Sequence, residues 1–403
     1  MNPVSPLPAI TCLFIAFVTS FLLAKMFGSP PDQGRFSTID GLRGYLAFFV
    51  FLHHSSIWYF YLRTGHWEVP PSNLYTHFGQ SSVALFFMIT GFLFFSKLID
   101  GRVKRIDWGK LFISRFLRLA PLYFFVVFAL FIVVARLSDG VLNEPVFKLL
   151  KDVVRWLGFT VLGAPDLNSI ENTATIIARV TWSLRYEWMF YFSLPALAVL
   201  VRATPPLPYI LLGISSIAVL IMSDPQIHHL MAFLGGIIAS LLVRWDSFRI
   251  FAAKRISSFV IIGCLYVAVS VFPSAYGFAP LLLLSAVFSL IASGNSLFGI
   301  LASPVSRTLG ELAYGIYLLH GITLFVTFNF IIGLPASSAL SPISHWLIAL
   351  GVTPILICIC FVTFRFVERP SMQSTPIVTA WIRSKTAFFF KGRSARECLR
   401  QDD

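Results

Sequence analysis

Long, uninterrupted apolar runs constrain this chain more than any other feature. Each continues for about 16 to 24 residues before a charged or Pro/Gly-rich break. A backbone in lipid must satisfy its own hydrogen bonds, so spanning segments are helices or strands of a closed barrel. Barrel strands alternate apolar and polar residues. These runs do not alternate, so they read as helices. The spans fall at about 7–27, 44–62, 79–98, 119–135, 184–201, 207–222, 229–243, 257–272, 279–298, 310–333 and 346–364. Only 12% of the residues are charged, against about 25% in soluble chains. The expected fold is an all-α integral membrane protein: a bundle of about 10–11 transmembrane helices with no soluble domain.

The formal net charge is +13. On a soluble chain that would raise nucleic acid as a partner. Here it reads as loops lying against the lipid bilayer, and no nucleic acid is expected. With the 28–43 loop in the cytoplasm, the cluster Lys97, Arg102, Lys104, Arg105, Lys110, Arg115 and Arg118 is cytoplasmic too. So are Arg202, Arg244, Arg249, Lys254, Arg255, Arg307 and the basic tail, 368–403. This asymmetry obeys the positive-inside rule and puts the N-terminus outside and the C-terminus in the cytoplasm. Residues 1–35 form an extra N-terminal apolar segment, closed by a breaker cluster at 29–34. No Lys or Arg precedes the 7–27 run, which favours a retained span over a cleaved signal peptide. The five Cys have neither zinc spacing nor a disulfide framework, so no metal is expected.

Four clusters could carry chemistry. The first is Ile39-Asp40-Gly41-Leu42-Arg43-Gly44, with His54 eleven residues beyond Arg43. Eleven residues of helix are nearly three turns and about 16 Å, roughly half a bilayer core. Arg43 and His54 therefore share a face, joining a surface cation to an imidazole near the midplane; His53 points about 100° away. A neutral imidazole there can take a proton from a hydroxyl. The second cluster is Arg115 and Arg118, one turn apart where a helix enters the membrane at Pro121. Two guanidiniums could clamp phosphates or hold anionic lipid. The third is Ser183, Glu187 and Tyr191, sharing a face of the segment 182–191. A carboxylate in an apolar span could orient an imidazole, bind a sugar hydroxyl or bridge helices. The fourth is Tyr314, Tyr317 and His320, stepping by three. His66, His77, His228, His229 and His345 receive no role. Walker A, Rossmann, His-Glu-x-x-His and Gly-x-Ser-x-Gly patterns are absent from the sequence.

Together these segments resemble the acyltransferase-3 membrane proteins. The resemblance rests on Ile-Asp-Gly-Leu-Arg-Gly with Arg-x10-His, Leu-Phe-Phe-Met-Ile-Thr-Gly-Phe-Leu (85–93) and Arg-Phe-Leu-Arg-Leu-Ala-Pro-Leu-Tyr (115–123). It also rests on Trp-Ser-Leu-Arg-Tyr-Glu-Trp-Met-Phe-Tyr (182–191) and Tyr-Gly-Ile-Tyr-Leu-Leu-His (314–320), and it covers about 36–367. It implies an acyl-CoA-dependent O-acyltransferase of the bacterial inner membrane, using acetyl-CoA or another acyl-CoA as donor substrate with no permanently bound cofactor. The implied acceptor is a carbohydrate or glycolipid, such as surface polysaccharide or lipopolysaccharide. His54, Arg43 and Glu187 match the family's catalytic positions, and Arg115 and Arg118 its donor-binding pair. Asp40, Ser183, Tyr191, Tyr317 and His320 are candidates for acceptor binding or support. Thr90 stands where the family usually has Ser. Many members carry a fused extracytoplasmic hydrolase-like domain, and this chain has a short basic tail instead. Delivery to the acceptor then falls to the membrane domain or to a separate extracytoplasmic acyltransferase. The rival reading is a proton-coupled transporter or flippase, for which intramembrane His and Glu are also suited. The basic Arg-x-x-Arg entrance and the lack of a visible inverted repeat weigh against it.

Overall fold

The computed structural model describes residues 2–30, 36–102 and 105–385. The breaker residues 31–34, Lys104, Cys398 and the tail beyond 385 lie outside the described residues. The chain opens with α1 (Pro6–Phe27), α2 (Ser37–Thr64), α3 (Asn73–Asp100), α4 (Trp108–Leu137) and α5 (Val146–Leu157). A 3₁₀ turn at Thr173–Ile177 leads to α6 (Trp182–Leu200), α7 (Leu207–Met222), α8 (Ile227–Leu242) and α9 (Asp246–Ala252). Next come α10 (Arg255–Val271), α11 (Phe278–Ala292), α12 (Pro304–Glu311) and α13 (Ala313–Val326), which runs on as a π-helix at Thr327–Ile331. The described helices close with α14 (Leu334–Ser338), α15 (Pro342–Thr363) and α16 (Arg369–Gln373). Among the described residues there is no β-strand, only an isolated bridge between Leu167 and Ile170.

This is an all-α integral membrane protein. Pro6–Phe27, Asn73–Asp100, Trp108–Leu137, Ala313–Ile331 and Pro342–Gln373 have the length and apolarity of membrane spans. The pair α8 and α9, bent by 106°, adds another if taken as one broken span. Each expected span overlaps a helix, but the helices are unequal, and α2 and α6, at the spans expected over 44–62 and 184–201, are not among these six. α7, α10 and α11 are apolar yet only 16, 17 and 15 residues long. That is about 22 to 26 Å, short of a ~30 Å core. Outward side chains such as Phe14, Phe128 and Leu347 are exposed, as lipid contact requires.

Several expected boundaries move. The helix placed at 119–135 is Trp108–Leu137, so Lys110, Arg115 and Arg118 lie on α4 and not in a basic loop. Asp107 caps it, its side chain accepting from the Lys110 N–H at 3.0 Å. Pro121 lies inside this helix and does not open it. Its missing N–H leaves the Leu117 carbonyl without its usual helical donor. The Ser371 hydroxyl donates to that carbonyl at 2.8 Å, which ties the C-terminal segment to α4. The span expected at 310–333 is broken at Leu312, between α12 and α13. The one expected at 279–298 stops at Ala292. Gly294 adopts φ +108° just beyond, a conformation that only glycine takes without strain.

Small residues set the helix spacing. A Cβ at Gly236 on α8 would lie 2.0 Å from the Met88 carbonyl oxygen of α3. One at Gly91 on α3 would lie 2.4 Å from that of Phe233. These backbones therefore touch directly, as membrane helices do where glycines meet. α1 is anchored to the bundle at its start. The Tyr75 hydroxyl donates to the Ser5 carbonyl and the Trp346 indole to the Pro3 carbonyl, both at 2.8 Å.

Candidate active site

One uninterrupted helix, α2, carries both Arg43 and His54. The glycines of the first motif fix its position. A Cβ on Gly41 would stand 1.9 Å from the Leu301 carbonyl oxygen, and one on Gly44 2.6 Å from the Leu309 carbonyl carbon. Reciprocally, a Cβ on Gly310 would stand 1.9 Å from the Asp40 carbonyl oxygen. The Gly face of α2 thus lies flush against α12 and the turn before it. The neighbouring face presents Asp40 and Arg43, which form an ion pair at 4.0 Å.

Arg43 lines a cavity of about 280 Å³ with Arg115, Arg118, Glu187, Tyr191 and Tyr317. Ser183, Tyr314 and Thr90 contribute further polar wall, and Phe86, Phe87 and Phe94 much of the apolar wall. Three guanidiniums in one intramembrane chamber need compensation. Glu187 provides part of it, acting electrostatically with Arg115, Arg43 and Arg118, and it accepts a hydrogen bond from the Tyr191 hydroxyl. Asp40 adds a second carboxylate. Glu368, 2% exposed, is a third, within electrostatic reach of Arg118 and Arg43. Arg115 also faces the Phe94 ring at 5.3 Å, and Arg118 reaches the Met372 sulfur at 3.1 Å. Ser183 and Tyr317 share a 2.8 Å hydrogen bond, which fixes the Tyr317 phenol at the cavity wall.

His54 lies outside this lining. Its Nδ1 stands 2.9 Å from Nε2 of His320, with the two rings stacked at 5.0 Å. The tautomers follow from the hydrogen bonds. His320 Nδ1 lies 2.8 Å from the Ile316 carbonyl, which can only accept, so the proton of neutral His320 sits on Nδ1. Its Nε2 is then an acceptor, and His54 must donate from Nδ1. That leaves the lone pair of His54 on Nε2, where a general base needs it. His54 is also partly exposed, whereas His53 and His320 are buried. His53 is engaged elsewhere. Its Nδ1 meets the Tyr75 carbonyl at 2.7 Å and its ring packs against Gly79. The Tyr317 ring, 6.4 Å from that of His320, stands between the arginine cavity and the histidine pair.

Most of the sequence-derived candidates are therefore brought together in two adjoining groups. Arg43, Arg115, Arg118, Glu187, Tyr191, Ser183 and Tyr317 share the cavity; His54 and His320 form the pair beyond it. Glu187 is held by Tyr191 among the arginines, so the group that orients His54 is His320. Sequence reading missed that pairing because the two histidines are 266 positions apart. It also missed Glu368, and Lys97, Arg105 and Lys110 as cavity residues. These last three line a second cavity of about 530 Å³, which shares Leu93, Phe94 and Arg115 with the first. Among the described residues no group of three or more His, Cys, Asp or Glu side chains is arranged to hold a metal ion.

Residues 36–365 match the family model of the acyltransferase domain, acyltransferase-3. The chain belongs to this acyltransferase family. The match includes every residue of both groups. No curated protein and no solved structure matches the chain. As a family member it is a membrane acyltransferase, and the two groups form its candidate active site.

Proposed function

We propose that this acyltransferase moves an acyl group, most simply acetyl, from cytoplasmic acyl-CoA to a hydroxyl of a carbohydrate or glycolipid. Surface polysaccharide and lipopolysaccharide are acceptors of the right chemistry. The observation that carries the reading is the pair of cavities joined at Arg115. The outer one bears Lys97, Arg105, Lys110 and Arg115 together with the carboxylates of Asp100 and Asp107, four cations to two anions. The inner one bears Arg43, Arg115 and Arg118 among aromatic and aliphatic walls. An acyl-CoA has the same two parts, a polyanionic nucleotide head and a long neutral arm ending in a thioester. Guanidiniums suit phosphates through paired N–H donors. About 16 Å of helix separates Arg43 from His54, a length that a pantetheine arm spans.

In this mechanism the acceptor hydroxyl gives its proton to His54 Nε2 as its oxygen attacks the thioester carbonyl. The C–S bond breaks, and the proton passes from His54 to the departing thiolate. The products are an O-acyl ester and CoA thiol. His320 holds His54 in the basic tautomer throughout. Arg115 and Arg118 hold the donor, with Arg43 at the inner end, and Glu187 keeps their charge balanced. The same reading puts the Arg43 end on the cytoplasmic side of the bacterial inner membrane and brings the acceptor from the other side. Transfer is made by the membrane domain itself. The experiment is acetyl-CoA-dependent thiol release by membranes bearing the protein, alongside O-acyl analysis of glycans from wild-type and deletion cells. The reading expects thiol release and an ester missing from the deletion strain; identical glycans and no thiol release would sink it.

A further inference from the structure

We infer that an aromatic cage around His229 is the binding site for a sugar ring of the acceptor. This rests on the acyl-transfer reading above and adds where the carbohydrate sits. The cage is made by Trp182 and Tyr186 of α6, His228 and His229 of α8, and Tyr276 from the turn before α11. The His229 ring lies 4.8 Å from that of Trp182, 4.7 Å from Tyr186 and 5.2 Å from Tyr276. His228 stacks on Tyr276 at 4.2 Å.

Three observations point to a ligand. First, His229 is 6% exposed, yet neither of its ring nitrogens has a hydrogen-bond partner among the described residues. Leaving a buried polar group unpaired is costly, and native proteins keep such groups where something else satisfies them. Second, the rings around His229 present outer surface: Trp182 is exposed, and Tyr186, His228 and Tyr276 are partly so. Flat aromatic faces with a few convergent polar tips suit a ring that is apolar on its C–H face and hydroxylated at its edge. Third, the cage adjoins the inner cavity. Phe87, in the wall of the inner cavity, lies 5.6 Å from His229, ring to ring. Tyr276 is an electrostatic neighbour of Tyr317, the residue that stands beside His320. The cage also lies away from the arginines. Its Tyr276 turn docks on the first half of α3, where Gln80 Oε1 accepts from Ser274 at 2.7 Å, whereas Phe94 and Arg115 mark the other half. Donor and acceptor would therefore enter from opposite ends.

The test replaces His229→Phe, which fills the cage but removes both nitrogens, Trp182→Ala, which removes one wall, and His229→Gln, which restores a hydrogen-bonding tip. Each is expressed in the deletion strain at verified wild-type level. Two readouts are taken: O-acyl content of cell glycan, and thiol release from acetyl-CoA by isolated membranes with water as the only added acceptor. The expected result is that glycan acylation falls about tenfold or more in H229F and W182A and recovers in part in H229Q. Donor-only thiol release stays within about twofold of wild type in all three, since neither Trp182 nor His229 lines either donor cavity. Full glycan acylation in H229F overturns the inference. Parallel loss of both readouts overturns it too, because the residues would then serve the donor or the fold. If the wild type releases no thiol and its glycans match those of the deletion strain, the acyl-CoA reading fails, and the cage loses its acceptor with it.

Discussion

Replacing Gly41 or Gly310 with Ala should separate α2 from α12 and displace Arg43. An added Cβ would stand 1.9 Å from a carbonyl oxygen at either site, whereas real Cβ contacts essentially never fall below 3.0 Å. The helices must therefore part by at least about 1.1 Å, because the opposing atom is backbone and cannot rotate away. Overpacking of this kind costs about 1 to 3 kcal/mol. The functional loss should be larger, since a misplacement of about 1 Å can reduce a rate about 10²-fold. Gly263→Ala is the matched control. It lies inside α10, where an added Cβ meets nothing within 4 Å. There Ala should stabilise by about 0.5 to 1 kcal/mol through helix propensity. Thermal unfolding of purified protein in detergent, with thiol release from acetyl-CoA, reads both effects. The reasoning is refuted if G41A and G310A melt and turn over like wild type.

Other outcomes follow from the same geometry. His320→Phe should lower kcat about 10²-fold and leave the KM for acetyl-CoA within about twofold, because it removes the acceptor that fixes the His54 tautomer; unchanged kcat would show that His320 only packs. Arg115→Ala should raise the KM for acetyl-CoA about tenfold or more, and the loss should deepen with added salt; an unchanged KM would remove the donor role from both cavities. Outside the membrane, the hydrogen bond from Lys148 at 2.5 Å holds the Glu144 carboxyl below the usual carboxylate range. Its contribution is fully present above the ordinary glutamate value and is lost as pH falls through the lowered one. Proteolysis within 138–172 should accelerate below about pH 4 in wild type, and Glu144→Gln should abolish that dependence. The same acceleration in E144Q would exclude Glu144 as its source.

Hydrophobic runs long enough to cross a bilayer were legible because lipid allows few alternatives. The Arg43–His54 register was legible for a similar reason: an unbroken helix converts spacing into direction. Boundaries were less so. The 97–118 stretch looked like a loop because its charges are dense, yet Asp107 caps α4 and the helix runs on through Pro121, whose freed carbonyl finds Ser371. That compensation lies 254 positions away and leaves no local trace. Arg115 and Arg118 of the inner cavity were found through their spacing. The His54–His320 bond was not, because pairing between distant helices has no period. His229 was set aside as an interface histidine, and only its buried, unpartnered nitrogens distinguish it. The glycines of the first motif act as helix contacts, and their partners at Leu301 and Leu309 lie far off in the sequence.

In the proposed mechanism His54 Nε2 is the base and His53 a structural neighbour. The direct measurement compares His54→Ala with His53→Ala at equal membrane expression, reading acetyl-CoA-dependent thiol release and glycan O-acylation together. His54→Ala should lose about 10² to 10⁴-fold in rate. His53→Ala loses the Tyr75 contact and some stability but keeps most of its turnover per folded molecule. Full activity in His54→Ala, or equal loss in both, contradicts that mechanism.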